Sequence, residues 1–213
     1  MELLSRTVIV GVFAPAPPGQ LDQQKVNNLW NEISVRHEYR QYAYEGVGAH
    51  FSGRGPDDGL VLQPPIVQVR SSARLGVANA ADEAEEIIAA AGRHLGWPQF
   101  LNLGVKIVFH APAPASGARE YVRHRLLGDD ARDLDELDRG GGVWVGLKLG
   151  MPAADGSQFT LVVEPLHADD AMLFVDLDAQ FPGPCEPGRI RERAAAVEDY
   201  AQRAVKHYLE NAE

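Results

Sequence analysis

Short runs of β-branched and aliphatic residues alternate along this chain with longer segments whose apolar positions recur at helical spacing. The first run, Thr7–Phe13, predicts a strand, and prolines end it. The segment Leu21–Arg36 predicts a helix, because its apolar residues recur three and four positions apart. The rest of the first half predicts two long strand segments, a short strand and a helix: Tyr39–Phe51, Leu60–Arg70, Arg74–Asn79 and Asp82–Leu95.

The same order of elements then begins again. The second half predicts a strand, a helix, three strands and a long closing helix: Gly104–Phe109, Gly117–Leu127, Val143–Leu149, Phe159–Leu166, Met172–Asp178 and Pro187–Leu209. The first strand of each half ends at the tetrapeptide Ala-Pro-Ala-Pro, and the two copies are 97 positions apart (14 to 111). Self-similarity at a fixed spacing indicates repeated architecture, so we expect an internal duplication.

This pattern predicts an α+β protein made of two β-α-β-β-β-α units, residues 1–98 and 99–213. The amphipathic strands need helices against one face, which favours mainly antiparallel sheet, in one layer or two fused ones, covered by helices. We expect the two units to pack as one compact body.

Composition narrows the class of protein. The formal net charge of −10 disfavours nucleic acid as a partner, because an acidic surface repels phosphate backbones. Cys185 is the single cysteine, so no intramolecular disulfide can form, and a reducing compartment such as the cytoplasm is expected. No apolar run approaches the roughly 18 residues that a membrane-spanning helix needs.

Two carboxylates in "LFVDLDAQF" form one candidate site. Asp176 and Asp178 are two positions apart in a predicted strand, so both point to one face of the sheet. If the preceding strand forms a hairpin with this one, Glu164 comes near them, and three carboxylates suit a hard cation such as Mg²⁺. The alternative is a solvated strand face, for which Lys148 and Arg189 are natural salt partners.

A second candidate site combines aromatic and titratable residues. Tyr42 and Tyr44 share a strand face, and with Glu45 they suit a cationic or aromatic ligand. His110 ends a strand at the repeated corner where the first half has Phe13, so the two halves differ there. We therefore expect a ligand to contact Tyr42, Tyr44, Glu45 and His110, in a cleft between the halves.

Other segments carry no recognisable chemistry. The acidic stretch "GDDARDLDELDRGGG" lacks the calcium-loop pattern and is interpreted as a solvated connector. The sequence has neither a G-x-S-x-G nucleophile motif nor a phosphate-binding glycine loop. No cofactor is indicated by any motif.

Two strands resemble motifs of a known family. The stretch "GVKIVFH" (Gly104–His110) is similar to a G-L-R-Y-I-N-like strand in the middle of that family's members, and "LFVDLDA" (Leu173–Ala179) is similar to their later L-I-D-I-D-like strand. The protein thus resembles a sporadically distributed, functionally uncharacterised bacterial α+β family. Since that family has no assigned activity, the resemblance implies a fold and no mechanism.

These observations favour a non-enzymatic cytoplasmic protein that binds a small molecule or a protein partner. Its duplicated layout resembles that of duplicated ligand-sensing domains of the GyrI type, which implies a ligand between the halves. The alternative is a divalent-metal-dependent enzyme that uses Glu164, Asp176 and Asp178. A third possibility is a subunit of a homo-oligomer.

Overall fold

A computed structural model describes residues 1–15, 21–53, 55, 58–128 and 143–211 of the protein. Within these ranges the protein contains a nine-stranded antiparallel sheet. The strands are β1 Leu4–Phe13, β2 Gln41–Tyr44, β3 Ala49–Ser52, β4 Gly59–Gln63, β5 Ile66–Ser72, β6 Phe100–Pro112, β7 Leu147–Pro152, β8 Gln158–Pro165 and β9 Met172–Cys185. This is the predicted α+β class, with one sheet.

Helices connect the strands. Their bounds are α1 Gln23–Ile33, α2 Val77–Leu95, α3 Ala118–Glu120, α4 Ile190–Tyr200 and α5 Lys206–Asn211. A π-helical turn over Tyr121–Leu126 continues α3, and a second one over Ala201–Val205 joins α4 to α5. The helix α4, the second π-helical turn and α5 therefore form the long closing helix that the sequence predicts.

The order of strands is symmetrical about the middle of the sheet. It runs β2-β3-β4-β5-β1-β6-β9-β8-β7, so the strands of each half lie on one side and β1 pairs with β6 at the centre. In that central pair Ile9 lies opposite Lys106, and their spacing in the sequence equals that from Ala14 to Ala111. This antiparallel register is compatible with a two-fold relation between the halves, with its axis at this pair. The internal duplication itself stays a prediction.

The core lies between the helices and one face of the sheet. Alternate residues of the central strands, such as Val10 in β1, Val105 in β6 and Leu177 in β9, are buried on this face. The helix α2 lies over β1 and β5 and packs against both α1 and α4, while α4 lies over β6. In the described part of the protein the opposite face carries no helix, and we call it the open face.

One predicted element is wrong. Arg74–Asn79 is not a strand, because β5 ends at Ser72 and a 3₁₀ turn over Ala73–Leu75 follows. Gly76 then takes φ +97°, a conformation that side-chain-bearing residues rarely adopt, and α2 begins at Val77. The apolar residues of this segment are thus spaced for the first turn of a helix rather than for a strand.

Two predicted strands are each a hairpin. Tyr39–Phe51 folds into β2 and β3 around a turn that contains Gly46 at φ +76°. Leu60–Arg70 folds into β4 and β5, which turn at Pro64 and Pro65. A turn suits these two prolines, because a residue there need not donate a hydrogen bond to the ladder.

In the second half the strands are longer or shifted relative to their predicted bounds. The strand β6 extends to both sides of its predicted range, β9 begins at Met172 as predicted but continues to Cys185, and β7 begins at Leu147 rather than at Val143. The stretch interpreted as an acidic connector lies outside the described residues from position 129 onward. The first Ala-Pro-Ala-Pro copy also lies partly outside them, so the two corners are not compared.

Candidate functional site

Two glycines lie side by side in the middle of the open face. Gly11 of β1 is directly opposite Gly104 of β6, and both belong to the alternate positions that point away from the helices. A groove of about 180 Å³ lies over this pair. Since neighbouring side chains stand up from the pleated surface, two adjacent glycines leave a depression there.

Gly11 has no visible structural reason to be a glycine. A Cβ added at this position would meet nothing within 4 Å, and the residue does not adopt a positive φ. At Gly104 an added Cβ would come within 2.8 Å of the Gln180 side chain, which lies over it. A glycine inside a strand weakens it and often marks a place where a ligand approaches closely.

One end of the groove, which we call the charged end, holds an ion-pair cluster. Lys106 of β6 donates from Nζ to Asp176 Oδ2 at 2.8 Å and lies 3.8 Å from Asp178 Oδ2. The side chains of Lys106, Asp176 and Asp178 are 33%, 17% and 31% exposed respectively, so solvent screens the pairs only in part. Among the three, Lys106 and Asp178 line the groove.

Amide side chains continue the wall from this end. Gln180 Nε2 donates to Asp178 Oδ1 at 2.6 Å, and Asn102 Nδ2 donates to Gln180 Oε1 at 3.2 Å. The carbonyl oxygen of the Asn102 side chain is buried and has no hydrogen-bond partner among the described residues. Gln68 of β5 completes the polar lining from the other side.

The other end of the groove, the apolar end, is formed by large hydrophobic side chains. Phe13 of β1 lies opposite Ile66 of β5, and the two residues are 43% and 40% exposed. Apolar side chains left this accessible on a sheet suit the apolar part of a ligand. The groove therefore offers charge at one end, amides in the middle and hydrocarbon at the other end.

The structure places the predicted carboxylates as follows. Asp176 and Asp178 share the open face, as predicted. Their ion-pair partner is Lys106, and neither Lys148 nor Arg189. Arg189 forms its ion pair with Glu192. Glu164 of β8 pairs in register with Phe174, two positions before Asp176 in β9. Among the described residues no three His, Cys, Asp or Glu side chains are grouped closely enough to hold a metal ion.

Tyr42 and Tyr44 lie on the covered side of the sheet. The Tyr42 ring stacks on Trp30 of α1 with 5.5 Å between centroids, and burial is the main cause that raises the pKa of its hydroxyl. The Tyr44 hydroxyl donates to the Leu21 carbonyl at 2.5 Å. Glu45 belongs to the turn, where its N–H donates to Gly48 O. These residues pack α1 on the sheet and do not meet His110; their predicted role in ligand binding stays a prediction.

His110 lies on the open face, near the charged end but outside the groove. It is opposite Phe174 of β9, with 6.5 Å between the ring centroids. Burial, followed by the charge of Arg6, lowers the pKa of this histidine. It is therefore held neutral over a wider range of pH than a solvated histidine.

Sequence reasoning missed the glycine pair, Lys106 and the amide wall. One signal was present, because an isolated glycine inside a strand pattern suggests close approach of another group. The opposition of Gly11 and Gly104 could not be predicted, since it depends on pairing between strands about a hundred residues apart.

Comparison with known proteins adds no identification. No protein-family model matches the sequence, and a search of curated proteins finds no significant match. Of the helices in the described residues, none is long and apolar enough to cross a membrane.

Proposed function

We propose that this protein binds a small molecule in the groove over Gly11 and Gly104 and performs no chemistry on it. The observation that carries the proposal is Gly11, a glycine in a central strand that neither φ nor packing requires. Glycine costs a strand about 0.5–1 kcal/mol relative to alanine, so its presence there needs another explanation. An open groove is that explanation.

The surroundings of the groove support a binding role. Charged and amide side chains line its wall, from Lys106 to Gln68, and its apolar end at Phe13 is accessible. Few, well-placed polar groups beside an apolar surface are typical of ligand sites. Its volume of about 180 Å³ is below the roughly 300–1,000 Å³ of sites for drug-sized ligands, which favours a small metabolite.

The experiment replaces Gly11 with a larger residue whose side chain occupies the groove. We expect Gly11→Val to abolish ligand-induced thermal shifts in a metabolite screen, while raising the free energy of unfolding by about 0.5–1 kcal/mol, because a β-branched residue suits a strand. Denaturant unfolding and thermal-shift titration measure the two effects. Loss of binding in a stabilised variant separates a blocked site from a damaged fold.

Gly150 provides the matched control. It also lies in a strand, at the edge in β7, and an added Cβ there would likewise meet nothing within 4 Å. Gly150→Val should leave every thermal shift unchanged. The proposal fails if Gly11→Val binds the same metabolites as the natural protein, or if a broad metabolite screen produces no shift at all.

Location and partners belong to the same proposal. A single cysteine fits a reducing compartment, so we place the protein in the cytoplasm, and the charge of −10 argues against nucleic acid as its partner. The metal-dependent alternative has less support, because Lys106 already binds Asp176, one of the two neighbouring carboxylates that a metal ion would need.

A further inference from the structure

We propose that the ligand of the groove is a small primary amine with an apolar tail, its ammonium group on Asp178 and its tail against Phe13 and Ile66. This inference rests on the proposed function, since it names the class of molecule that the same groove holds. The hydrogen bonds, the charges and the length of the groove support it.

At the charged end, one carboxylate oxygen of Asp178 accepts no hydrogen bond from the described residues. Its Oδ1 accepts from Gln180 Nε2 at 2.6 Å, whereas Lys106 Nζ is 3.8 Å from Oδ2, which is beyond hydrogen-bond distance. Lys106 makes its short contact with Asp176 instead. Within the described residues, Asp178 Oδ2 is therefore left without a hydrogen-bond donor, and because Asp178 lines the groove, a ligand that donates hydrogen bonds suits it.

The balance of charge selects a cation. Arg70 of β5 and Lys148 of β7 lie on the same face, each separated from the cluster by one strand. Within the cluster of Lys106, Asp176 and Asp178 itself, one lysine and two carboxylates leave one negative charge. A primary ammonium would neutralise it and can donate three hydrogen bonds. A carboxylate ligand would meet Asp178 at close range and raise the negative charge further, in a protein that already carries −10.

The distance along β1 determines how long the rest of the ligand can be. Ile9, beside the charged end, and Phe13, at the apolar end, are four positions apart in β1, or about 13 Å. An ammonium on Asp178 therefore leaves room for a short linker over Gly11 and for a ring or alkyl group against Phe13 and Ile66. Phenethylamine, which carries an ammonium group and an aromatic ring on a two-carbon linker, is the probe of this class.

The test compares three probes with one skeleton and different charge. Isothermal titration calorimetry measures phenethylamine, 2-phenylethanol and 3-phenylpropionate against the natural protein. The amine should bind at least about tenfold more tightly than the alcohol, because a hydrogen bond to a charged group is the stronger kind, and more tightly still than the acid. Asp178→Asn should lower the affinity for the amine by about tenfold and leave the affinity for the alcohol unchanged.

Two further variants separate the loss of charge from other effects. Glu164→Gln removes a carboxylate from the same face outside the groove lining, and it should leave the affinity for the amine unchanged. Asp178→Glu retains the charge and should retain the preference for the amine over the alcohol. Thermal melts establish that each variant is folded before its affinity is measured.

The failure of this inference is distinguishable from failure of the proposed function. If the alcohol or the acid binds as tightly as the amine, and Gly11→Val abolishes that binding, the groove is a binding site but not for amines. If none of the three probes binds, the amine class is overturned, while the metabolite screen with Gly11→Val decides the function separately. An unaltered affinity of Asp178→Asn for the amine also overturns the inference.

Discussion

At the scale of single residues, the open face shows how an absent side chain shapes a surface. Gly11 and Gly104 are opposed in the two central strands; the Gln180 side chain lies over Gly104, and the space over Gly11 stays open because Gly11 carries no Cβ. The charged residues beside them are arranged by the same pleat, which places Lys106, Asp176 and Asp178 on one face. A shared face for Asp176 and Asp178 follows from a spacing of two and is confirmed.

The lysine between those carboxylates did not follow from the sequence. Lys106 is about seventy positions away from Asp176, and only the pairing of β6 with β9 brings the two together. Lys148 and Arg189 are equally reasonable partners by sequence. Side-chain spacing along one strand is a local property, whereas the partner across the ladder is not.

Tyr121 yields a prediction about pH at the residue scale. Its buried hydroxyl donates to the Leu209 carbonyl at 2.5 Å, and burial is the main cause that raises the pKa of Tyr121 to about 12, from 10.0. The folded state thus binds this proton more tightly than the unfolded state. The stability that it contributes is present below pH 10 and is lost as the pH rises through about 12.

Tyr121→Phe tests this assignment. We expect the free energy of unfolding to fall by about 1 kcal/mol at neutral pH, because the Leu209 carbonyl loses its donor. The steep alkaline decline between pH 10 and 12 should become shallower. Denaturant unfolding as a function of pH measures both effects. Tyr208→Phe, at a residue 37% exposed, is the control. It should leave the stability at neutral pH unchanged and should alter the alkaline decline less than Tyr121→Phe does, because the charge of Tyr208 is a lesser cause of the raised pKa of Tyr121 than burial is.

At the scale of elements, local patterns located the helices better than the strands. The predicted helix Leu21–Arg36 contains the observed α1, and Asp82–Leu95 lies within α2, because apolar residues on one helix face are a strong local signal. Arg74–Asn79 is wrong, since a short apolar stretch fits either a strand or the first turn of a helix.

The end of α2 provides a prediction for one element. Gly96 follows the helix at φ 79° and ψ 33°, in the left-handed region, and its N–H donates to Gly92 O at 3.0 Å. An added Cβ would meet nothing within 4 Å, so the cost of a substitution is conformational. Gly96→Ala should reduce the free energy of unfolding by about 1–2 kcal/mol in denaturant titrations.

Asparagine is the discriminating control at this position, because its short polar side chain tolerates the left-handed conformation better than alanine does. Gly96→Asn should lose clearly less stability than Gly96→Ala. Equal losses in both variants would mean that α2 does not end in the geometry described.

At the scale of the whole molecule, one sheet continues across the boundary between the predicted units. The strand β1 of residues 1–98 pairs with β6 of residues 99–213 from Leu4 to Phe13, in the centre of the sheet. The helices α2 and α4, one from each unit, also pack against each other. A boundary that crosses the core couples the stability of both sides.

This coupling predicts cooperative unfolding. Differential scanning calorimetry should show one transition whose calorimetric and van't Hoff enthalpies agree, because neither half can expose its central strand without losing the shared core. Residues 1–98 and 99–213 expressed separately should each remain largely unfolded and should fold when mixed. Two separated transitions, or a stably folded half, would show that the units are independent domains.

The sequence by itself determined the class of the fold and the orientation of its side chains. Alternating apolar residues mark the covered face of each strand, and helical spacing marks the helices, because both periodicities depend on neighbours within one element. These local patterns were sufficient to predict an antiparallel α+β protein covered by helices and a shared face for Asp176 and Asp178.

Only the tertiary structure decided which strands are neighbours. The pairing of β1 with β6 placed Gly11 beside Gly104, and the pairing of β6 with β9 placed Lys106 beside Asp178. The physical reason is that strand pairing over long sequence separations is selected by the burial of the whole core, whereas side-chain periodicity records only which face of each strand is buried.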